Sequence, residues 1–393
     1  MFLTYTEQQE ELRRELAAYF GRLMTPEVQE EMSSGDGEIG RGDVYKRLVR
    51  QMGVDGWLGI GWPTEWGGQG RSMVEQLIFT DEAGKAGAPV PFLTINTVGP
   101  TIMRFGSDEQ RQELIPKILA GEMHFSIGYS EPDAGTDLAR LTTKAVRDGD
   151  EYVVNGQKMW TSLIQYADYV WLACRTDPDA PRHKGLSVLL VPTGSAGFRW
   201  TPVETVGGTT TSQTFYDDVR VPVANRVGPE NEGWKLITNQ LNRERVALCS
   251  AASVGEALRL VRQWAQDTKL ADGRRVIDQE WVQVNLADVH AKVEFLKLIN
   301  WKIAWGVDKG VSPADASATK VFGTELYIEA YRRLMECFGQ EAYVKGDSPG
   351  AKLRGRIERT YRGTLILTFG GGTNEIQRDI IAMAGLGMPR APR

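Results

Sequence analysis

The chain has 393 residues, enough for more than one domain and for a large core. Its apolar fraction of 41% and charged fraction of 25% are ordinary for a globular protein. The formal net charge is −5 with Lys and Arg scattered, so nothing marks a nucleic-acid or anionic-membrane surface.

The first segment, about 1–122, reads as an N-terminal α-helical domain. Its opening, MFLTYTEQQEELRRELAAYF, meets charge within ten residues and does not read as a signal peptide. No later run is apolar for long enough to span a bilayer. Thr6 with Gln9 reads as a capping box, and Leu12, Leu16, Phe20 and Leu23 follow at helical spacing. GIGWPTEWGGQG (59–70) is too rich in Gly and Pro for helix or strand and reads as a fixed connection.

The second segment, about 123–230, changes period and predicts a middle antiparallel β domain. Asp148-Gly149 and Asn155-Gly156 mark tight turns between short strands. DYVWLACR (168–175), LSVLLVP (186–192) and TFYDDVRVP (214–222) continue the β pattern.

The third segment, about 231–393, returns to helix. EGWKLITNQLNRERVALCSAASVGEALRLVRQWAQDT reads as one long amphipathic helix. Two further long helices follow, and a last one after Gly370-Gly371-Gly372. This predicts a C-terminal four-helix bundle. The fold class is α+β. Cys174, Cys249 and Cys337 are far apart, which predicts reduced thiols in a cytoplasmic protein. His124, His183 and His290 are isolated, and no metal site is expected.

Four features bear on chemistry. Glu244 shares a helical stripe with Ile237, Leu241, Leu248 and Ala251. A carboxylate on a buried face is costly unless it is paired or functional. It is either a salt-bridge partner of Arg245 or another arginine, or a base whose pKa burial raises. Ser130-Glu131-Pro132-Asp133-Ala134-Gly135-Thr136-Asp137 crowds small residues and hydroxyls into a turn that suits a phosphate or a polar ring edge. A plain turn with a helix cap at Asp137 is the alternative. Trp160, in Lys158-Met159-Trp160-Thr161-Ser162, is either a platform for a planar heterocycle or a core tryptophan. Phe369-Gly370-Gly371-Gly372-Thr373-Asn374-Glu375 allows close backbone approach to a ligand, or is a flexible connection. No GxGxxG follows a strand, so a Rossmann-type site is not indicated.

In this order the set resembles the acyl-CoA dehydrogenase family over nearly the whole chain. WPTEWGGQG, YSEPDAGTD, NGQKMWTS, DDVRVP, RERVAL and GGGTNEIQ carry the resemblance. It implies bound FAD and a CoA thioester substrate. Tyr129 and Ser130 would meet the flavin pyrimidine edge, Trp160 would cover a flavin face, and Ser162 would bond near N5. Thr136 would lie near the FAD pyrophosphate and the CoA side of the pocket. Thr373 and Glu375 would lie near the adenosine-side phosphates or ribose, and Asn242 to Arg245 would line the acyl-CoA pocket. Many members carry the catalytic Glu just before the Gly-Thr of the last turn, where this chain has Gly371. A branch that includes isovaleryl-CoA dehydrogenase places it on the RERVAL-like helix, at the position of Glu244. The resemblance implies that the Gly371 N–H and a flavin ribityl hydroxyl polarise the thioester carbonyl. Glu244 then takes the α proton, and electrons pass on to an electron-transfer flavoprotein.

Two family segments differ. ADGRRVIDQEW lacks a Phe-Gly, and MECFGQEAYVKG lacks paired glycines; in family homotetramers these complete a neighbour's FAD site. In FSIGYSEPDAGTDLA, VNGQKMWTSLIQYADYVWLA and ILTFGGGTNEIQRDII the chain resembles the base-bearing subunit of actinobacterial heterotetrameric steroid side-chain acyl-CoA dehydrogenases. That implies an α2β2 assembly with a sister subunit and a bulky steroid side-chain acyl-CoA substrate. The competing readings are a non-catalytic partner subunit, which would need no base at Glu244, and a flavin oxidase on the same fold.

Overall fold

The structure is a computed structural model that describes residues 4–33, 42–208, 210–247, 249–306, 312–346 and 348–390. The side chains of residues 33, 42 and 241–248 lie outside the described set. Six helices come first: α1 (Glu7–Leu23), α2 (Pro26–Ser33), α3 (Gly42–Val54), α4 (Met73–Ala86), α5 (Gly99–Phe105) and α6 (Asp108–Leu119). Eight strands follow: β1 (Phe125–Gly128), β2 (Lys144–Asp148), β3 (Glu151–Lys158), β4 (Tyr169–Arg175), β5 (Leu186–Pro192), β6 (Phe198–Glu204), β7 (Thr210–Pro222) and β8 (Arg226–Val227). The chain returns to helix in α7 (Gly233–Ala247), α8 (Ala251–Asp267), α9 (Glu280–Gly306), α10 (Pro313–Glu336), α11 (Arg356–Thr364) and α12 (Asn374–Ile380). None of the described helices is long and apolar enough to cross a membrane.

Local signals account for most helix starts. Thr6 and Gln9 form the expected reciprocal cap on α1, and Ser72 with Glu75 and Ser107 with Gln110 do the same for α4 and α6. The 59–70 segment is the fixed connection its composition predicts. Gln69 N–H donates to the Gly59 carbonyl (2.9 Å) and Gly70 N–H to the Trp62 carbonyl (2.8 Å). The segment is tight enough that a Cβ on Gly68 would fall 2.2 Å from the Trp62 carbonyl oxygen.

The strands form one sheet in the order β6-β7-β3-β2-β4-β5-β8, with β1 beside β4. The sheet is mixed rather than antiparallel: β1 runs parallel to β4, and β2 meets β4 in parallel at Lys144 and Arg175. The β2–β3 hairpin lies between β1 and β4 in the chain and supplies the crossover that a parallel pair needs. β4 and β5 are buried on both faces, which is why they read as unbroken apolar runs. Trp171, Ala173, Leu186 and Val188 join the core of the N-terminal helices, together with Leu236 and Ile237 of α7. Tyr152, Leu172, Leu189 and Tyr216 build a core on the other face. The C-terminal helices share a third core around Val254, Val289, Leu296 and Leu326.

The long helix expected from residue 232 onward is two helices. Ser250 is extended (φ −73°, ψ 134°) and its hydroxyl accepts from Ala252 N–H, so it caps α8. The stripe drawn from Ile237 to Ala251 therefore does not run down one continuous helix face. Leu241 side-chain packing and Leu248 lie outside the described residues.

Candidate active site

The Tyr129–Asp137 loop is tied down by a buried ion pair. Lys158, at the end of β3, is fully buried, and its Nζ lies 2.9 Å from Glu131 Oε1. The same ammonium donates to the Tyr129 carbonyl (2.9 Å). Glu131 also accepts from Thr142 N–H (2.7 Å), the Thr142 hydroxyl (2.8 Å) and Thr143 N–H (2.8 Å). Burial alone would raise the Glu131 carboxyl; the Lys158 charge and these hydrogen bonds outweigh it and hold it down to about 2. Met159 N–H completes the junction by donating to the Ser130 carbonyl (2.8 Å). Two motifs singled out in the sequence, SEPDAGTD and KMWTS, are thus one structural unit.

Trp160 follows in a left-handed backbone conformation (φ 64°), an outlier for a bulky residue. It is not a core tryptophan: 54% of it is exposed. Its neighbours hold the strained residue in place. Thr161 is buried and its N–H donates to the Ser212 carbonyl (2.9 Å). The Ser162 hydroxyl lies 3.1 Å from the Thr211 hydroxyl, and its carbonyl accepts from Ser126 on β1 (2.8 Å). Thr136 and Asp137 are exposed, and Asp137 makes no cap bond; it pairs with Arg182 (3.3 Å).

A third element enters through Tyr129. Its hydroxyl accepts from Trp171 Nε1 (3.0 Å) and donates to Gln240 Oε1 on α7. Gln240 is fully buried, and its Nε2 has no hydrogen-bond partner among the described residues. Glu244 lies four residues further along α7, on the same helix face as Gln240. Asn242 and Arg245 lie on α7 as well; the side chains of all three are outside the described residues.

The last turn is built around Gly371 and Gly372, both left-handed (φ 67° and 94°). Thr373 caps α12 by accepting from Ile376 N–H (3.4 Å). Glu375 is exposed; backbone N–H at the helix start and the Thr373 hydroxyl hold its carboxyl below the usual range. α10 packs against both α7 and α12, which links this turn to the rest of the site.

A cavity of about 250 Å³ opens where the N-terminal helices meet the bundle. Phe79, Ala83, Val90 and Ile95 line one side, with Ser250 and Tyr327 on the other. Lys320 of α10 donates to the Gly372 carbonyl (2.9 Å), and Tyr327 lies seven residues beyond it, so the cavity sits ~10 Å along that helix from the glycine turn. Asp81 fixes this seam by accepting from the Ser250 hydroxyl (2.6 Å). Cys174, Cys249 and Cys337 are buried and free, and burial pushes each thiol up to about 12.

Two stability measurements check these assignments. Glu131→Gln leaves the Lys158 charge buried and uncompensated, and should cost about 3–5 kcal/mol in urea unfolding at neutral pH. Adding Lys158→Met should recover most of that loss. Burial pushes the Asp81 carboxyl up to about 6, above its ordinary 3.8. A raised carboxylate pKa favours the protonated folded state, so this group weakens folding as pH rises from about 4 to about 6, and the loss is constant above that. Asp81→Asn keeps an acceptor for Ser250. It should stabilise the protein by roughly 1–3 kcal/mol at pH 7–8, with no gain below about pH 4.

Comparison with known proteins agrees with this architecture. The acyl-CoA dehydrogenase N-terminal, middle and C-terminal domain families match residues 6–122, 126–219 and 231–386. Acyl-CoA dehydrogenase FadE26 of Mycobacterium tuberculosis is 67% identical over 400 residues, covering 100% of both chains. In the crystal structure of the ChsE4-ChsE5 complex from Mycobacterium tuberculosis, one chain is 67% identical, with a TM-score of 0.93 and full coverage of both chains. The Tcur3481-Tcur3483 steroid ACAD matches at 49% identity with a TM-score of 0.92, again over all of both chains. The chain belongs to the acyl-CoA dehydrogenase family.

Proposed function

We propose that this chain is the base-bearing subunit of an FAD-dependent acyl-CoA dehydrogenase that converts a bulky steroid side-chain acyl-CoA to its 2,3-enoyl-CoA. The observation that carries the reading is the convergence of α7 on the Tyr129–Trp160 unit through the Tyr129–Gln240 bond. Glu244 follows one helical turn along α7 from that buried amide, whose Nε2 has no partner among the described residues, and this supports the reading.

The residues present suit a flavin. Trp160 offers an exposed flat ring on a strained, well-supported backbone. Ser130, Ser162 and the Tyr129 backbone would hold the ring's polar edge, while Thr136, Thr373 and Glu375 would serve the phosphate and adenosine side. When bound, FAD supplies the acceptor for the hydride that leaves the substrate β carbon. Glu244 takes the α proton. The Gly371 N–H binds the thioester oxygen, where negative charge develops as that proton leaves. Asn242 and Arg245 line the CoA thioester path, and the 250 Å³ cavity receives the acyl end. An electron-transfer flavoprotein would be the partner that takes up the electrons.

The likeness to a steroid ACAD supports the bulky substrate. A sister acyl-CoA dehydrogenase chain, in an α2β2 assembly, is the proposed partner. Two solved relatives are two-component complexes, and α9 carries a second apolar stripe on its outer side. Trp281, Val284, Phe295, Leu298 and Trp305 recur there at heptad spacing and are exposed.

Glu244→Gln tests the base. The variant should keep FAD and bind acyl-CoA, while kcat for dehydrogenation falls by roughly 10²–10⁴-fold. Turnover near the wild-type rate in a steady-state assay would remove Glu244 from the reaction.

A further inference from the structure

Lys320 is fully buried on α10. Its ammonium donates to the Thr368 carbonyl (3.1 Å), the Gly372 carbonyl (2.9 Å) and Asn374 Oδ1 (2.7 Å). A lysine ammonium has three N–H donors, and here they meet acceptors on both flanks of the Gly370–Gly372 run. The same helix supplies a second layer. Asn374 Nδ2 lies 3.1 Å from the Thr324 hydroxyl and 3.1 Å from Glu325 Oε1. The Ser317 hydroxyl donates to Gln377 Oε1 (2.9 Å). α10 therefore grips the turn before, at and after its glycines.

The turn needs an external grip. Gly371 and Gly372 are both left-handed and have no side chain to anchor them. Glycine backbone explores more conformations than any other residue, so nothing intrinsic aims the Gly371 N–H. A donor that stabilises developing charge contributes most when its direction is set before the reaction begins. Burying a cation is expensive, and a neutral side chain could hold the turn by hydrogen bonds alone. A cation additionally puts positive potential behind the peptide groups that face the substrate oxygen.

We propose that Lys320 is a positioning residue for the reaction: it fixes the Gly370–Gly372 turn so that the Gly371 N–H meets the thioester oxygen, and its charge helps to hold the negative charge that develops there. This rests on the reading of Gly371 as the oxyanion donor.

The test uses the flavin-loaded protein, co-expressed with its sister chain, and a 3-thiaacyl-CoA. The α proton of this analogue is acidic enough to be lost while no hydride leaves. The absorbance that appears on ionisation gives the apparent pKa of the bound analogue. Lys320→Met should raise that pKa by about one unit, a tenfold weaker hold on the anion, with Lys320→Arg restoring part of it. Amide exchange at Gly371 and Gly372 should quicken by about tenfold or more. kcat should fall with the analogue pKa, while KM and FAD content stay near wild type. Wild-type analogue pKa and amide exchange in Lys320→Met would overturn the proposal, as would a loss confined to KM or FAD content. If Lys320→Met fails to fold, Asn374→Ala keeps the lysine and removes one of its acceptors. A smaller rise in analogue pKa is then expected, and no rise overturns the proposal. A wild-type complex that never ionises the analogue would overturn the dehydrogenase reading and this proposal with it, whereas an effect absent only from the variants isolates the failure to Lys320.

Discussion

A buried ammonium must direct its N–H groups at oxygens, and two lysines of this protein, Lys158 and Lys320, do so. Lys158 closes on Glu131 and the Tyr129 carbonyl, and so shapes the loop that leaves β1. Lys320 closes on Thr368, Gly372 and Asn374, and so shapes the turn that precedes α12. In each case a cation is desolvated so that backbone carbonyls, which any sequence provides, become fixed ligands. Exposed Trp160 follows the first anchor in the chain, and half-buried Gly371 lies within the turn that the second one holds.

Between the two anchors runs α7. Gln240 reaches Tyr129 on one side, and α10 packs against α7 on the other. The candidate base therefore lies on the element shared by both supports. The division of labour is physical: strands and bundle give rigidity, the two lysines tie down loops, and one helix carries the proposed base.

Much of this was legible in local sequence. Thr6 with Gln9, the β4 and β5 runs, and the Gly/Pro-rich 59–70 connection each depend on neighbours in the chain, and each folded as read. The failures are long-range or competitive. The parallel β1–β4 pairing depends on partners 44 residues apart, and no hairpin signal announces it. Ser250 continues an amphipathic pattern, yet its hydroxyl competes for backbone and starts a new helix. In the sequence Glu131 reads only as part of a turn, because its partner lies 27 residues away. Lys320 left a signal that could have been used. It shares the buried stripe Ala316, Lys320, Thr324 and Tyr327, and a lysine at such a position needs oxygen partners. The role proposed for Glu244 rests on resemblance, since periodicity alone allows an ordinary salt bridge.

The central claim is that this chain brings the base and a sister chain completes the flavin site. Anaerobic bleaching of bound flavin by a panel of acyl-CoAs, with and without the co-expressed sister, tests it most directly. The account predicts bleaching by steroid side-chain acyl-CoAs in the co-expressed complex, with fewer flavins than chains. Full flavin loading of this chain alone, bleached best by simple straight-chain acyl-CoAs, would contradict it.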